Sequence, residues 1–235
     1  MEYTNIKEEL KYFNENYNIE NVLSIPLILN QICQFLNKDN IKLLSLCNKN
    51  IYLLYCNQIK KLKVNKEAHI YNLQKIIDKY DNINNLDLRY CENIKDFSPI
   101  SKLESLENLD ISNTNISDIS FLEKNKNIKE LYLISCYHIK DYSHISNLEK
   151  LERLDLSYCH ISDISFLEKN KNIKELKLVH CTEINNFSSL YKLKKIEILN
   201  ANNTEISDND ASLIKKSNKN IRHLARRKYY DSYDD

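Results

Sequence analysis

Residues 86–133 read LDLRYCENIKDFSPISKLESLENLDISNTNISDISFLEKNKNIKELYL, and their leucines keep a schedule. A triplet with an apolar residue at each end opens the stretch as Leu86-Asp87-Leu88. It returns as Leu109-Asp110-Ile111 and Leu131-Tyr132-Leu133. Downstream it continues as Leu154-Asp155-Leu156, Leu176-Lys177-Leu178 and Leu199-Asn200-Ala201. Successive first leucines lie 23, 22, 23, 22 and 23 residues apart. A fixed pair follows each triplet: Cys91/Ile94, Thr114/Ile116, Cys136/Ile139, Cys159/Ile161, Cys181/Ile184 and Thr204/Ile206. A constant period of this length means one unit stacked on itself.

The spacing sets the geometry of the unit. Side chains alternate along a strand, so the outer two residues of each triplet face inward and the middle one faces solvent. The Cys or Thr three residues on is small enough to fit inside and can hydrogen-bond to the turn backbone. Further inward positions follow at threes, as in Ile100, Leu103 and Leu106 before Leu109. Polar pairs such as Ser117-Asp118, Lys140-Asp141, Ser162-Asp163 and Ser207-Asp208 turn the chain, with Asp placed to cap a short outer helical turn. One rung cannot bury its own apolar edge, so each must cover the next. The triplets and their Asn/Cys/Thr position resemble the leucine-rich repeat. The resemblance implies an α/β fold, a right-handed solenoid with a parallel sheet on its concave face. The repeats are expected over 59–224, with Leu62-Lys63-Val64 as a first irregular rung and 225–235 as a polar tail.

The segment ISDISFLEKNKNIKEL occurs twice unchanged, at 116–131 and 161–176, an offset of 45 residues. A two-rung unit has been copied. Identity between the copies reflects that copying; divergence between them marks where recognition can be tuned.

The 235 residues carry 34 basic and 33 acidic side chains, so no general affinity for nucleic acid follows. No apolar run reaches the roughly 20 residues that span a bilayer, and MEYTNIKEEL at the start does not read as a signal peptide. Seven cysteines, four at the small inward position, read as reduced thiols of a cytoplasmic or nuclear protein. Glycine is absent and asparagine abundant, and Asn is the residue expected where a turn needs positive φ. The Asn/Ile/Lys/Tyr bias resembles that of AT-rich genomes, as in large DNA viruses or protists; in the viral case the location is the host cell.

Residues 24–56, SIPLILNQICQFLNKDNIKLLSLCNKNIYLLYC, change character. They are apolar with a helical period, Pro26 fits a first helical turn, and Asp39 fits an N-cap. Ile25-Pro26, Ile32, Phe35-Leu36, Asp39, Ile41, Leu46-Cys47 and Lys49 resemble the F-box, a small three-helix motif within residues 1–58. The resemblance implies that Ile25, Pro26, Leu29, Ile32, Phe35, Leu36 and Leu46 dock on the Skp adaptor of a cullin–RING ubiquitin ligase. An F-box followed by leucine-rich repeats is the order found in substrate receptors of such ligases. The alternative is a stand-alone interaction module whose N-terminal helices only cap the first repeat.

Chemistry is hard to place elsewhere. Cys159-His160 and His180-Cys181 lie on adjacent rungs, but their cysteines point inward and no C-x2-C spacing accompanies them, so no metal is expected. Without glycine, phosphate-cradling and dinucleotide loops cannot form. The row Asp87, Asp110 and Asp155 reads as a solvated strand face. Neither catalytic residues nor a cofactor are expected. The basic stretch 215–228 reads as a polar end cap, or as a patch for nuclear import or an acidic partner. What remains is the outward strand face, with Arg89, Tyr90, Tyr132, Ile134, Arg153, Tyr158, Lys177, Val179 and His180. Tyr and Arg are enriched at binding hot spots, and this face is the expected site for an unidentified target protein. The expected centre is Tyr132, Arg153, Tyr158 and Lys177, on a chain that is monomeric outside its complex, with neither nucleic acid nor membrane as partner.

Overall fold

The computed structural model describes residues 60–64 and 73–226. The chain divides into two compact units, Met1–Ile59 and Lys60–Asp235, and every described residue belongs to the second. The F-box-like segment, with Ile25, Pro26, Leu29, Ile32, Phe35, Leu36 and Leu46, lies outside the described residues, as do Cys33, Cys47, Cys56 and residues 227–235.

Eight three-residue strands run in chain order: β1 Lys61–Lys63, β2 Asn85–Asp87, β3 Asn108–Asp110, β4 Glu130–Tyr132, β5 Arg153–Asp155, β6 Glu175–Lys177, β7 Ile198–Asn200 and β8 His223–Ala225. Each pairs with the next, always parallel, in one sheet. The register is a ladder of leucines: Leu62, Leu86, Leu109, Leu131, Leu154, Leu176, Leu199 and Leu224. The strands start one residue before each triplet, because the residue ahead of the leucine, polar except for Ile198, also joins the ladder. Backbone bonding then runs on past the strand, as in Leu88 N–H to the Asp110 carbonyl (2.8 Å) and Tyr90 N–H to that of Ser112 (3.0 Å). The fold is therefore a leucine-rich-repeat solenoid with two more strands than the six triplets.

The interior is a column of Leu and Ile, most of them without measurable exposure. Burying one such side chain stabilises by about 1.5–3 kcal/mol, so stacking rather than local propensity holds these short strands. The small position behaves as expected in two ways. Thr114 and Thr204 hydroxyls donate to carbonyls of their own rung, Ile111 and Ala201. The Cys136, Cys159 and Cys181 thiols instead donate to the previous rung, at Ile111, Leu133 and Leu156. Cys91, Cys136, Cys159 and Cys181 are free and buried. Burial pushes the Cys136 and Cys181 thiols up to about 12.

On the side opposite the strands, short 3-10 segments span Ser98–Lys102, Ser120–Glu123, Ser143–Asn147, Ser165–Lys169 and Ser188–Lys192. A carboxylate two residues ahead accepts the N–H of each first serine in the first four, from Asp96, Asp118, Asp141 and Asp163, and Asn186 does so in the fifth. α-Helices occupy the corresponding place at each end, α1 at Leu73–Ile77 and α2 at Asp208–Ser217. Ser207 caps α2 in a reciprocal pair with Asp210.

The two rung lengths differ where a residue is added between the small position and the isoleucine. They differ on the outside as well. Where longer rungs carry Leu103 and Leu148, the following shorter ones carry Asn125 and Asn170, both fully buried. Asn125 Nδ2 donates to the carbonyls of Ile100 and Leu103, both at 3.0 Å. Asn170 does the same to Ile145 (2.9 Å) and Leu148 (3.1 Å), and Asn218 to Leu193 (2.6 Å) and Ile196 (3.0 Å). Asn127, Asn172 and Asn220 add bonds to Glu104, Glu149 and Lys194 carbonyls. Within the outer segments 123–127 and 168–172 the asparagines are thus bolts between rungs, while Lys124, Lys126, Lys169 and Lys171 are exposed.

Candidate functional site

The first and third residues of each strand point away from the core, which builds two columns of side chains that are polar apart from Ile198 on β7 and Ala225 on β8. Their charges are committed to one another. Arg89 grips Asp87 with two nitrogens (3.0 and 2.7 Å) and reaches Asp110 at 3.3 Å. Burial raises the Asp87 carboxyl, but the hydrogen bonds and charge of Arg89 outweigh it and hold Asp87 below its ordinary value. At Asp110 burial wins, and its carboxyl sits above that value. Further along, Arg153 bridges Glu130 and Glu175, and Lys177 lies 3.2 Å from Glu175 and 3.7 Å from Asp155. Tyr132 donates its hydroxyl to Glu130 at 3.0 Å, and burial followed by that bond pushes the phenol up to about 12.

The aspartate row is not a solvated face. Asp155 is buried, and Asp87 and Asp110 are half-buried. Each accepts the backbone N–H two residues on, Arg89, Ser112 or Ser157, and Asn200 does so for Asn202. These carboxylates close the strand into its turn. On β4, where Tyr132 takes the place, the Ile134 N–H finds the Ser112 hydroxyl of the preceding rung instead.

Of the expected target residues, Arg153 is exposed and Lys177 and Tyr132 half-buried on the strands. Ile134 and Val179 are half-buried rather than open apolar surface. Tyr90, Tyr158 and His180 do not belong to the strand face. They sit in the turns after β2, β5 and β6 with φ of 63°, 62° and 58°. Among the described residues the other left-handed ones are Asn113, Ser135 and Asn203, so asparagine fills two of these six positions. Left-handed backbone costs a non-glycine residue about 1–3 kcal/mol, with Asn and Asp the most tolerant. Tyr158 is 45% and Tyr90 53% exposed, so only part of each side chain packs against the fold.

The turns carry a second feature that the strand-based reading missed. Tyr158 stacks on His180 at 4.7 Å between ring centroids, and His180 Nε2 lies 2.7 Å from Asn203 Nδ2. Parallel to it, Tyr137 lies 5.7 Å from His160, whose Nδ1 is 2.8 Å from Glu183. Two side-chain ladders, Tyr–His–Asn and Tyr–His–Glu, therefore run along one edge of the sheet. The 45-residue offset held the signal: Tyr137, Tyr158 and His160 stand where the preceding copy has Glu92, Asn113 and Asn115. A groove of about 430 Å³ on the outer side, beside Tyr142 and Phe166, has a smaller counterpart 45 residues earlier beside Phe97 and Phe121. It follows from the packing of the 3-10 segments.

Residues 81–124, 104–148 and 149–192 match the family model described as Leucine Rich repeats (2 copies). The chain carries leucine-rich repeats. Among solved structures it is similar to internalin C2 from Listeria monocytogenes, with 23% identity, a TM-score of 0.64 and 77% of each chain covered. It is also similar to an internalin (inlF) from the same organism, with 21% identity, a TM-score of 0.60, and 77% of this chain and 59% of that one covered. No curated protein matches the sequence. Among the described residues no helix is long and apolar enough to cross a membrane.

Proposed function

We propose that the chain is a protein-interaction module, and specifically the substrate-recognition subunit of a Skp–cullin–F-box-type ubiquitin ligase. Residues 23–56 dock on the Skp adaptor, and the repeats hold a target protein. The chain supplies no chemistry; it holds the target near the ubiquitin-charged enzyme, where proximity speeds the transfer. It works in the cytoplasm or nucleus, of the host cell if the chain is viral. The observation that carries the ligase reading is the run from Ile25-Pro26 through Phe35-Leu36 to Leu46 standing directly before a stacked repeat array. Supporting the interaction reading, the array fixes Tyr and Arg side chains on a rigid parallel sheet, the residue types that dominate binding energy.

The test is co-purification of the full chain with a Skp-type adaptor. Retention by the wild type, with a loss of at least tenfold in the double variant Ile32→Asp and Phe35→Asp, is the expected result. An adaptor that is never retained removes the ligase role and leaves the stand-alone module.

A further inference from the structure

The turn edge differs from the strand face in one respect that bears on what is bound. On the strand face, Asp87, Arg89, Asp110, Glu130, Arg153, Glu175 and Lys177 satisfy one another, so a partner that covers them must first replace those contacts. On the edge the exposed groups include tyrosine and histidine rings and glutamates, with His160 in contact with Glu183. Residues 90–93, 113–115, 135–138, 158–160, 180–183 and 203–205 form these turns, in a chain with 34 lysines and arginines. None of the 34 falls in them, whereas Tyr90, Tyr137, Tyr158, Glu92, Glu183 and Glu205 do.

We infer that this edge, centred on Tyr137 and Tyr158, is the docking surface for an arginine- or lysine-bearing segment of a partner protein. It rests on the reading of the chain as an interaction module and deepens it. Three observations converge. The first is charge: the turns carry Glu92, Glu183 and Glu205 and none of the lysines or arginines, which suits a cation. The second is the ring ladders: exposed tyrosine faces attract guanidinium and ammonium groups, and rungs about 4.8 Å apart suit an extended segment laid across them. The third is strain. Tyr158 holds a left-handed backbone at a position where the copies on either side, Asn113 and Asn203, have the residue that tolerates it best. A residue that costs the fold something and remains exposed is explained by what it binds.

The strain gives the test an unusual signature. Tyr158→Asn installs the residue of the flanking copies, so it raises the melting temperature while it weakens binding. The probe is a selection of random twelve-residue peptides displayed against the full-length protein. Selected peptides are then titrated by fluorescence polarisation against the wild type, Tyr158→Asn, Tyr137→Ala and the strand-face variant Arg153→Ala. Enrichment of Arg and Lys is expected, with affinity at least tenfold lower in both tyrosine variants and within twofold of the wild type in Arg153→Ala. A citrulline-for-arginine peptide should bind no more than a tenth as well. Acidic or purely apolar winners overturn the chemistry. Basic winners that lose affinity only in Arg153→Ala overturn the location while the interaction module stands. Absence of any binding peptide overturns both.

Discussion

The outer side and the turn edge of this solenoid descend from the same duplicated unit, yet they have behaved in opposite ways. Outside, Asn125, Asn170 and Asn218 recur, each donating to two carbonyls that lie 25 and 22 residues back. At the edge, Asn113 and Asn203 flank Tyr158 although all three share one backbone conformation. Outside, the recurring asparagines make buried hydrogen bonds that nothing else satisfies. The edge demands only a turn, so its side chains are free to serve a partner. Exposure alone would not have separated the two, since both alternate buried and open residues over a few positions.

The sharpest contrast lies within the edge. Cys159 is buried between the exposed Tyr158 and His160. Cys159→Lys should destabilise by about 4 kcal/mol through an unpaired buried charge. Cys159→Thr should cost less than about 1 kcal/mol, because Thr114 and Thr204 already fill that slot. Urea unfolding of the two variants checks this, and equal losses would mean the slot is not closed. On the outer side, Asn170→Ala should cost about 2 kcal/mol, for two buried bonds and some packing. Asn172→Ala, with one exposed bond to the Glu149 carbonyl, should cost under about 1 kcal/mol. If the two match, the outer side is held by surface propensity and the comparison with the edge fails.

The last effect is absent at neutral pH. The Cys136 and Cys181 thiols are held up to about 12 in the fold, against about 8.5 for a free thiol. A raised folded value gives a contribution fully present below the unfolded value and lost as pH rises through the folded one. Stability should therefore fall from about pH 8.5 towards pH 12, and a Cys136→Thr and Cys181→Thr variant should show a shallower decline in urea midpoint. Parallel declines would show that other groups dominate in alkali.

The sequence made most of the scaffold readable, because a leucine every 22 or 23 residues admits few arrangements other than stacked parallel strands. The inward Cys and Thr followed from their spacing, and the capping role of Asp118, Asp141 and Asp163 from their place before serine. The eighth strand was not readable: Leu224 lies 25 residues after Leu199, outside the 22/23 spacing, and Leu224-Ala225-Arg226 lacks a second large apolar residue. Asn125 and Asn170 were misleading because they sit among lysines, and a buried amide bonded to the neighbouring rung has no one-dimensional signature. The turn edge was half visible. Tyr158 stood out, but alternation along a strand placed it on the strand face, whereas the left-handed turn after β5 carries it to the edge.

The asparagine brackets give the array a grain and a counting unit. Asn125 and Asn170 each reach back to the longer rung before them and never forward. A shorter rung therefore presupposes its predecessor, and the pair of 45 residues is the smallest piece that can be inserted or lost without stranding an amide. Unequal crossing-over would lengthen such a gene by whole pairs. Each event would also carry along a fresh copy of the turn edge, already folded and open to change.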